Sequence, residues 1–252
     1  MEPFAAHEAD TSPWGKARRR LVRLAHRRPA ARGPKRPMIS FTFDDPPATA
    51  VETGARLLAE RGLKGTYFVS AALCGREGPM GRFAEVETLK AAAAAGHELA
   101  CHTFSHLDCG RAERSAVEAD LERNRAAMAD WKIEEASTFA YPYGDVGFPA
   151  KRLIAERFSL SRGLHHGLMG AGSDLNQAPA VGLEGPEGES LARRWIGRAY
   201  ARNAWLILYT HDVREAPSPW GCSPAALGRL MDQALDAGFE VVTVAEGARR
   251  LG

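Results

Sequence analysis

From Met38 onward this 252-residue chain alternates short apolar runs with helix-like stretches, and that alternation is the tightest constraint on its fold. Strand-length runs occur at Met38 to Phe43, Thr66 to Val69, a stretch opening near His97, Ser137 to Tyr141, Phe158 to Ser161, Trp205 to Thr210 and Phe239 to Val244. Helices are expected over about Thr49 to Arg61, Val86 to Ala95, Ser115 to Trp131, Pro149 to Arg157, Leu191 to Arg202 and Ser223 to Ala237. Several end at a glycine stop such as Gly62, Gly96 or Gly238. This order implies an α/β protein with a mainly parallel sheet, and the strand count suits a closed or nearly closed barrel better than an open sheet. Residues 163–190 are glycine-rich and polar, with at most one short strand near Ala180 to Leu183.

Polar residues gather where the strands end. Asp44 and Asp45 precede Pro46 and Pro47, His102 and His106 follow the third strand, Tyr141-Pro142-Tyr143-Gly144 closes the fourth, and His211 follows Thr210. In a parallel barrel these points share one rim, where active sites are built. The two histidines, four residues apart, would face one side of a helical turn and reach a single cation. Taken singly, each feature has a plainer reading: a solvated Asp-Asp turn, a surface histidine pair, a tight aromatic turn, a hydrogen-bonded structural histidine. Their coincidence on one rim favours chemistry.

Composition is that of a globular protein, 45% hydrophobic and 25% charged, and the length suits one domain. No apolar run reaches membrane-spanning length, and the N-terminus lacks the apolar core of a signal peptide. Cys74, Cys101, Cys109 and Cys222 show no CxxC spacing and read as free thiols. Ten of the 33 Lys and Arg lie within residues 14–36, with no acid among them, so a net charge of +2 hides a basic arm on a mildly acidic body. Residues 1–36 are therefore set apart as a basic, partly disordered arm and 37–252 as the domain. The arm reads either as attachment to an anionic surface or polymer, or as a solvated extension with a short helix near Arg18 to His26 packed on the body.

Thr42-Phe43-Asp44-Asp45, His102-Thr103-Phe104-Ser105-His106, Phe139-Ala140-Tyr141-Pro142-Tyr143-Gly144 and Leu206-Ile207-Leu208-Tyr209-Thr210-His211 occur in an order that resembles the polysaccharide deacetylases, the NodB homology family or carbohydrate esterase family 4. The resemblance implies a NodB-like distorted barrel and a divalent metal, zinc first and cobalt or nickel as alternatives, held by Asp45, His102 and His106. It further implies Asp44 as catalytic base, His211 as catalytic acid and the backbone around Pro142 and Tyr143 as oxyanion support. The expected reaction is removal of N-acetyl groups from a glycan containing N-acetylhexosamine.

Three departures qualify that expectation. Pro46 stands where most members have glycine, Ala140 stands where many have an arginine bracing the base, and the family's fourth motif, an Asp/Trp pair, is not recognisable. Arg162 and Asp174 are the candidate substitutes for the brace and for the partner of His211. Trp220, in a loop past His211, either stacks on a sugar face or packs its loop. Two other functions stay open: deacylation of an O-acetyl ester or a small acylated amine at the same site, and a catalytically degenerate carbohydrate- or nucleic-acid-binding module. The expected partner is a glycan or oligosaccharide, with nucleic acid disfavoured. Without a visible signal peptide the cytoplasm is the default location, although family members usually act outside it.

Overall fold

The computed structural model of the protein describes residues 12–252. Its central element is strand β1 (Met38–Asp44), buried at all seven positions, as a strand flanked on both faces must be. The remaining strands are β2 (Thr66–Val69), the short hairpin β3 (Glu77–Gly78) and β4 (Gly81–Arg82), then β5 (Glu98–Cys101), β6 (Thr138–Ala140), β7 (Leu160–Arg162), β8 (Val181–Gly182), β9 (Trp205–Thr210) and β10 (Glu240–Val241). Outside the hairpin they form one parallel sheet in the order β7-β6-β5-β2-β1-β9-β8, while β10 pairs with Met38 and Ile39 of β1. The sheet curls into a half-barrel, and Ala178, ahead of β8, bridges to Arg162 of β7. This is the expected distorted barrel with seven strands along its path.

The period-two alternation of β1 sorts its residues. Ile39, Phe41 and Phe43 pack outward against helices α2 (Ala55–Ala59), α3 (Val86–Ala94), α6 (Gly188–Ala201) and α7 (Pro224–Asp236). Met38, Ser40, Thr42 and Asp44 point into the barrel. There Ser40 Oγ donates to the Val242 carbonyl at 2.7 Å and Thr42 Oγ1 to the Leu208 carbonyl at 2.9 Å, so neither buried hydroxyl is left unsatisfied. A second outer layer, α4 (Arg114–Asp130) and α5 (Phe148–Ala155), covers β5 and β6 through Val117, Leu121, Leu153 and Ile154.

Local chemistry moves some expected boundaries. The helix expected from Thr49 begins as a wide turn over residues 50–54, where Gly54 lies close against the Phe43 ring, before α2 proper. The last strand stops at Val241 because the Thr243 side chain caps α8 (Val244–Leu251), accepting from the Glu246 N–H at 3.2 Å. Helix α8 then plugs the end of the barrel away from the strand C-termini with Val244, Ala248 and Leu251.

Within the basic arm the short packed helix expected near Arg18 to His26 forms, beginning earlier at Pro13, and residues 12–36 as a whole pack on the body where a partly disordered extension was also expected. Helix α1 (Pro13–Leu24) buries Gly15 and Val22, and its Arg18 donates to both Asp145 oxygens at 2.8 and 2.9 Å. The buried Lys151 ammonium donates to the Val22 carbonyl at 3.0 Å, and Asn176 Nδ2 to the His26 carbonyl at 2.7 Å. Basic composition signalled a loose tail, but specific acceptors on the body hold it. Residues 1–11 of the arm lie outside the described residues.

A Cβ placed at Gly247 of α8 would stand 2.4 Å from the Trp205 ring, which is fully buried. Alanine gains roughly 0.8–1 kcal/mol of helix preference, whereas overpacking costs about 1–3 kcal/mol. Gly247→Ala should therefore lower the urea midpoint at unchanged slope, a loss of about 1 kcal/mol or more in equilibrium unfolding.

Candidate active site

All of the strand-end residues lie on one rim, at the C-terminal ends of the parallel strands. Asp45 directly follows β1, His102 follows β5, Tyr141 follows β6 and His211 follows β9. The backbone is strained here: Asp45 (φ 40°), Thr103 (φ 61°), His106 (φ 56°) and Tyr143 (φ 57°) are all left-handed. Such conformations cost about 1–3 kcal/mol each and persist only where neighbours over-determine them.

One neighbour is Asp120 of α4, whose buried carboxylate accepts from the Phe104 and Ser105 N–H groups at 2.8 and 2.9 Å and from Ser105 Oγ at 3.0 Å. Thr103 Oγ1 accepts from the Leu107 N–H at 2.8 Å. His102 and His106 are thus placed by an anchored loop with two left-handed residues, which corrects the expectation of one helical turn.

Asp45, His102 and His106 converge, with one potential ligand atom from each lying within 4.8 Å of the others. His106 Nε2 is 3.0 Å and His102 Nε2 is 3.9 Å from Asp45 Oδ2. His102 Nδ1 lies 2.8 Å from the Ala140 carbonyl, which can only accept, so that nitrogen carries the proton and Nε2 presents a lone pair. Burial pushes His102 down to about 4, keeping the ring neutral. Burial opposes the charge on Asp45, yet the imidazoles of His106 and His102 hold its carboxyl well below the usual carboxylate range. Asp45 Oδ1 is buried without a hydrogen-bond partner. One carboxylate with an orphaned oxygen and two imidazoles suit a zinc-like divalent ion with open positions.

Asp44 points into the barrel and receives both of its oxygens' contacts from Arg162 Nη2 at 2.5 Å. Arg162 is fully buried, its guanidinium 4.9 Å from the Phe68 ring centre and 5.2 Å from that of Tyr209. Arg162 and Ala140 are register partners on β7 and β6. The small side chain of Ala140 leaves interior space that the guanidinium from the next strand fills.

The ion-pair partner of His211 is Glu184, which sequence reasoning missed: its Oε1 lies 2.9 Å from His211 Nδ1, a nitrogen that also lies 3.2 Å from the Trp220 carbonyl. Burial works against charge on His211, but Glu184 and then Asp44 raise it to about 9. Glu184 sits two residues past β8, so the rule that located the other groups, a polar residue just after a strand, would have found it. Asp174 is elsewhere. It pairs with Lys151 at 2.7 Å and accepts from the Arg28 N–H, anchoring the N-terminal segment, which corrects its candidacy for His211.

Pro142-Tyr143-Gly144 forms a tight turn with the Tyr143 ring edge-on to His106 at 4.4 Å. Gly144 has φ 65° and a Cβ there would strike Leu164 at 2.5 Å. The Trp220 side chain is 45% exposed, while its carbonyl accepts from the His211 N–H at 3.1 Å. Buried Asp212 holds that loop by accepting from the Ser218 N–H at 2.9 Å and by its ion pair with Arg214 at 2.8 Å.

A curled parallel sheet with a buried Asp/His/His cluster and flanking carboxylate and histidine defines a hydrolase-like rim. The polysaccharide deacetylase family profile matches residues 31–157, and the chain belongs to that family. No curated protein matches the sequence. Among solved structures, a candidate polysaccharide deacetylase from Mycobacterium smegmatis is similar at TM-score 0.70 and 17% identity, over 90% of this chain and 95% of that one. The chitin deacetylase of the fungal pathogen Colletotrichum lindemuthianum gives TM-score 0.63 at 16% identity over 86% and 89%. A family 4 acetyl xylan esterase from Clostridium thermocellum, in complex with a cobalt ion, gives 0.57 at 16% over 83% and 89%. At these identities the likeness is one of fold.

Three outcomes follow from the buried pairs. Arg162→Met leaves the Asp44 charge uncompensated and should cost about 3–5 kcal/mol in equilibrium unfolding, most of it recovered by adding Asp44→Asn. Because His211 binds its proton more tightly folded than unfolded, its contribution to stability is full below about 6.5 and is lost as pH rises through about 9. A dication at the Asp45 cluster would draw that upper value down. Glu184→Gln should move the alkaline limb of the pH–rate profile down by about one unit or more, read from initial rates across pH.

Proposed function

We propose that this protein is a metal-dependent deacetylase that removes N-acetyl groups from an N-acetylhexosamine-containing glycan, releasing acetate and a free amine. The observation that carries this reading is the pairing of two oppositely charged partners on one rim: Asp44 against the fixed cation Arg162, and His211 kept protonated by Glu184. Amide hydrolysis needs both a base for the water and an acid for the departing nitrogen, and an ester needs the acid far less.

In this reading Asp44 accepts a proton from water as the water oxygen attacks the acetamido carbonyl carbon. The Tyr143 backbone N–H, held in its left-handed turn, donates to the oxygen that gains charge. His211, engaged through Nδ1, delivers the Nε2 proton to nitrogen as the C–N bond breaks, so the amine leaves neutral. Asp45, His102 and His106 would hold the divalent ion, zinc first with cobalt or nickel able to serve, which when bound polarises the acyl carbonyl and acidifies the water. Trp220, exposed beside His211, would offer an apolar face to a sugar ring.

The test pairs elemental analysis of the purified protein with acetate release from chitin oligosaccharides, before and after chelation and after zinc or cobalt is restored. Release should follow the metal, and Asp44→Asn should reduce it by about 10²–10⁴-fold while leaving the fold intact. A protein with no near-stoichiometric metal would sink the ligand assignment. Metal without acetate from chitin, but with acetate from acetylated xylan that survives His211→Ala, would establish the ester reading instead.

A further inference from the structure

Helix α1 carries a surface that the site does not use. Gly15, Arg18 and Val22 turn toward the body. Trp14, Ala17, Leu21 and Leu24, spaced 3, 4 and 3 residues apart, share a second face, on which Trp14 is 74%, Leu21 53% and Leu24 71% exposed. Trp14 and Leu24 are the two most exposed large hydrophobic residues among those described. The remaining arc holds Lys16, Arg20 and Arg23, all exposed, and Arg27 continues it past the helix end. Among the described residues none of these four cations is ion-paired with an acid, and residues 12–43 contain no acidic side chain.

We propose that α1 is a peripheral docking helix for a membrane surface rich in anionic phospholipid. Its twelve residues make a rod about 18 Å long, suited to lie in the interface. No helix among the described residues is long and apolar enough to cross a membrane, and α1 itself is far shorter than a span. Charge complementarity selects an anionic partner. The exposed Trp and Leu residues select a bilayer over a soluble polyanion, because a polymer would neutralise the cations yet leave Trp14 and Leu24 in water, whereas the headgroup boundary accepts both kinds of group.

The helix is rigidly coupled to the catalytic rim. Arg18 reaches Asp145 and the carbonyls of Gly110 and Val146, immediately beyond the turn of Tyr143. Arg19 and Arg23 line a small cavity with Gly144 and His165. Docking would therefore set that rim at a fixed place relative to the lipid headgroups.

Sedimentation of the full chain with vesicles, in the absence of any glycan, tests the inference independently of the deacetylase reading. Vesicles of phosphatidylglycerol mixed into phosphatidylcholine should bind the protein at least about tenfold more tightly than phosphatidylcholine alone. Trp14→Ser with Leu24→Ser should weaken that binding by about tenfold or more while acetate release from soluble oligosaccharide and the circular dichroism spectrum are unchanged. Each of Lys16→Gln, Arg20→Gln and Arg23→Gln should cost about fivefold. Brominated acyl chains should quench tryptophan emission of the wild type and not of Trp14→Phe, a variant that keeps the helix. Equal binding by the double serine variant, capture by polyphosphate but not vesicles, or a lipid-free dimer dissolved by the same two substitutions would each overturn the proposal.

Discussion

The pairing of Arg162 with Asp44 inside the barrel governs the rest of the rim. Two opposite charges removed from water are tolerated only as a pair, and here one guanidinium nitrogen meets both carboxylate oxygens, a second donates to the Gly163 carbonyl at 3.3 Å, and Phe68 and Tyr209 cover the guanidinium from the sides. The pair joins β1 to β7 across the interior. It ties down the last residue of β1, and Asp45 follows directly with a left-handed backbone whose N–H donates to the Phe68 carbonyl at 3.0 Å. The neighbouring cluster with His102 and His106 is consequently a dependent of the barrel's own interior.

A second tier of carboxylates holds the loops without entering the chemistry. Asp120 secures the His102–His106 loop, Asp145 secures helix α1 beside the Tyr143 turn, Asp174 secures the segment after it, and Asp212 secures the Trp220 loop. Each accepts several hydrogen bonds in a buried or half-buried place, where a lost partner costs more than the same bond contributes in water. Three of the four strained rim residues, Thr103, His106 and Tyr143, lie in or beside segments that these anchors hold.

Much of the architecture was legible in the sequence because parallel strands buried on both faces must be apolar runs, and Met38–Asp44 and Trp205–Thr210 are unmistakable in that respect. The rim positions of Asp44, Asp45, His102, Tyr143 and His211 followed from the ends of such runs. What was hidden depended on pairing between distant strands. Glu184 lies just past a two-residue strand in a glycine-rich stretch, and only the pairing of that strand with β9 brings it to His211. The true setting of Asp174 depends on Lys151 and on the N-terminal segment folding back, and nothing in local spacing signals either. The spacing of His102 and His106 suggested a helical turn because the same interval can be spanned by a loop, and only Asp120, on a separate helix, decides between them.

The exchange of positions between Ala140 and Arg162 separates a charge's place in space from its place in the chain. The interior opposite Asp44 has room for one guanidinium, and either of two register partners on adjacent strands can supply it. Inspection of the third motif alone would count this chain as having lost a cation that it has merely moved sideways by one strand.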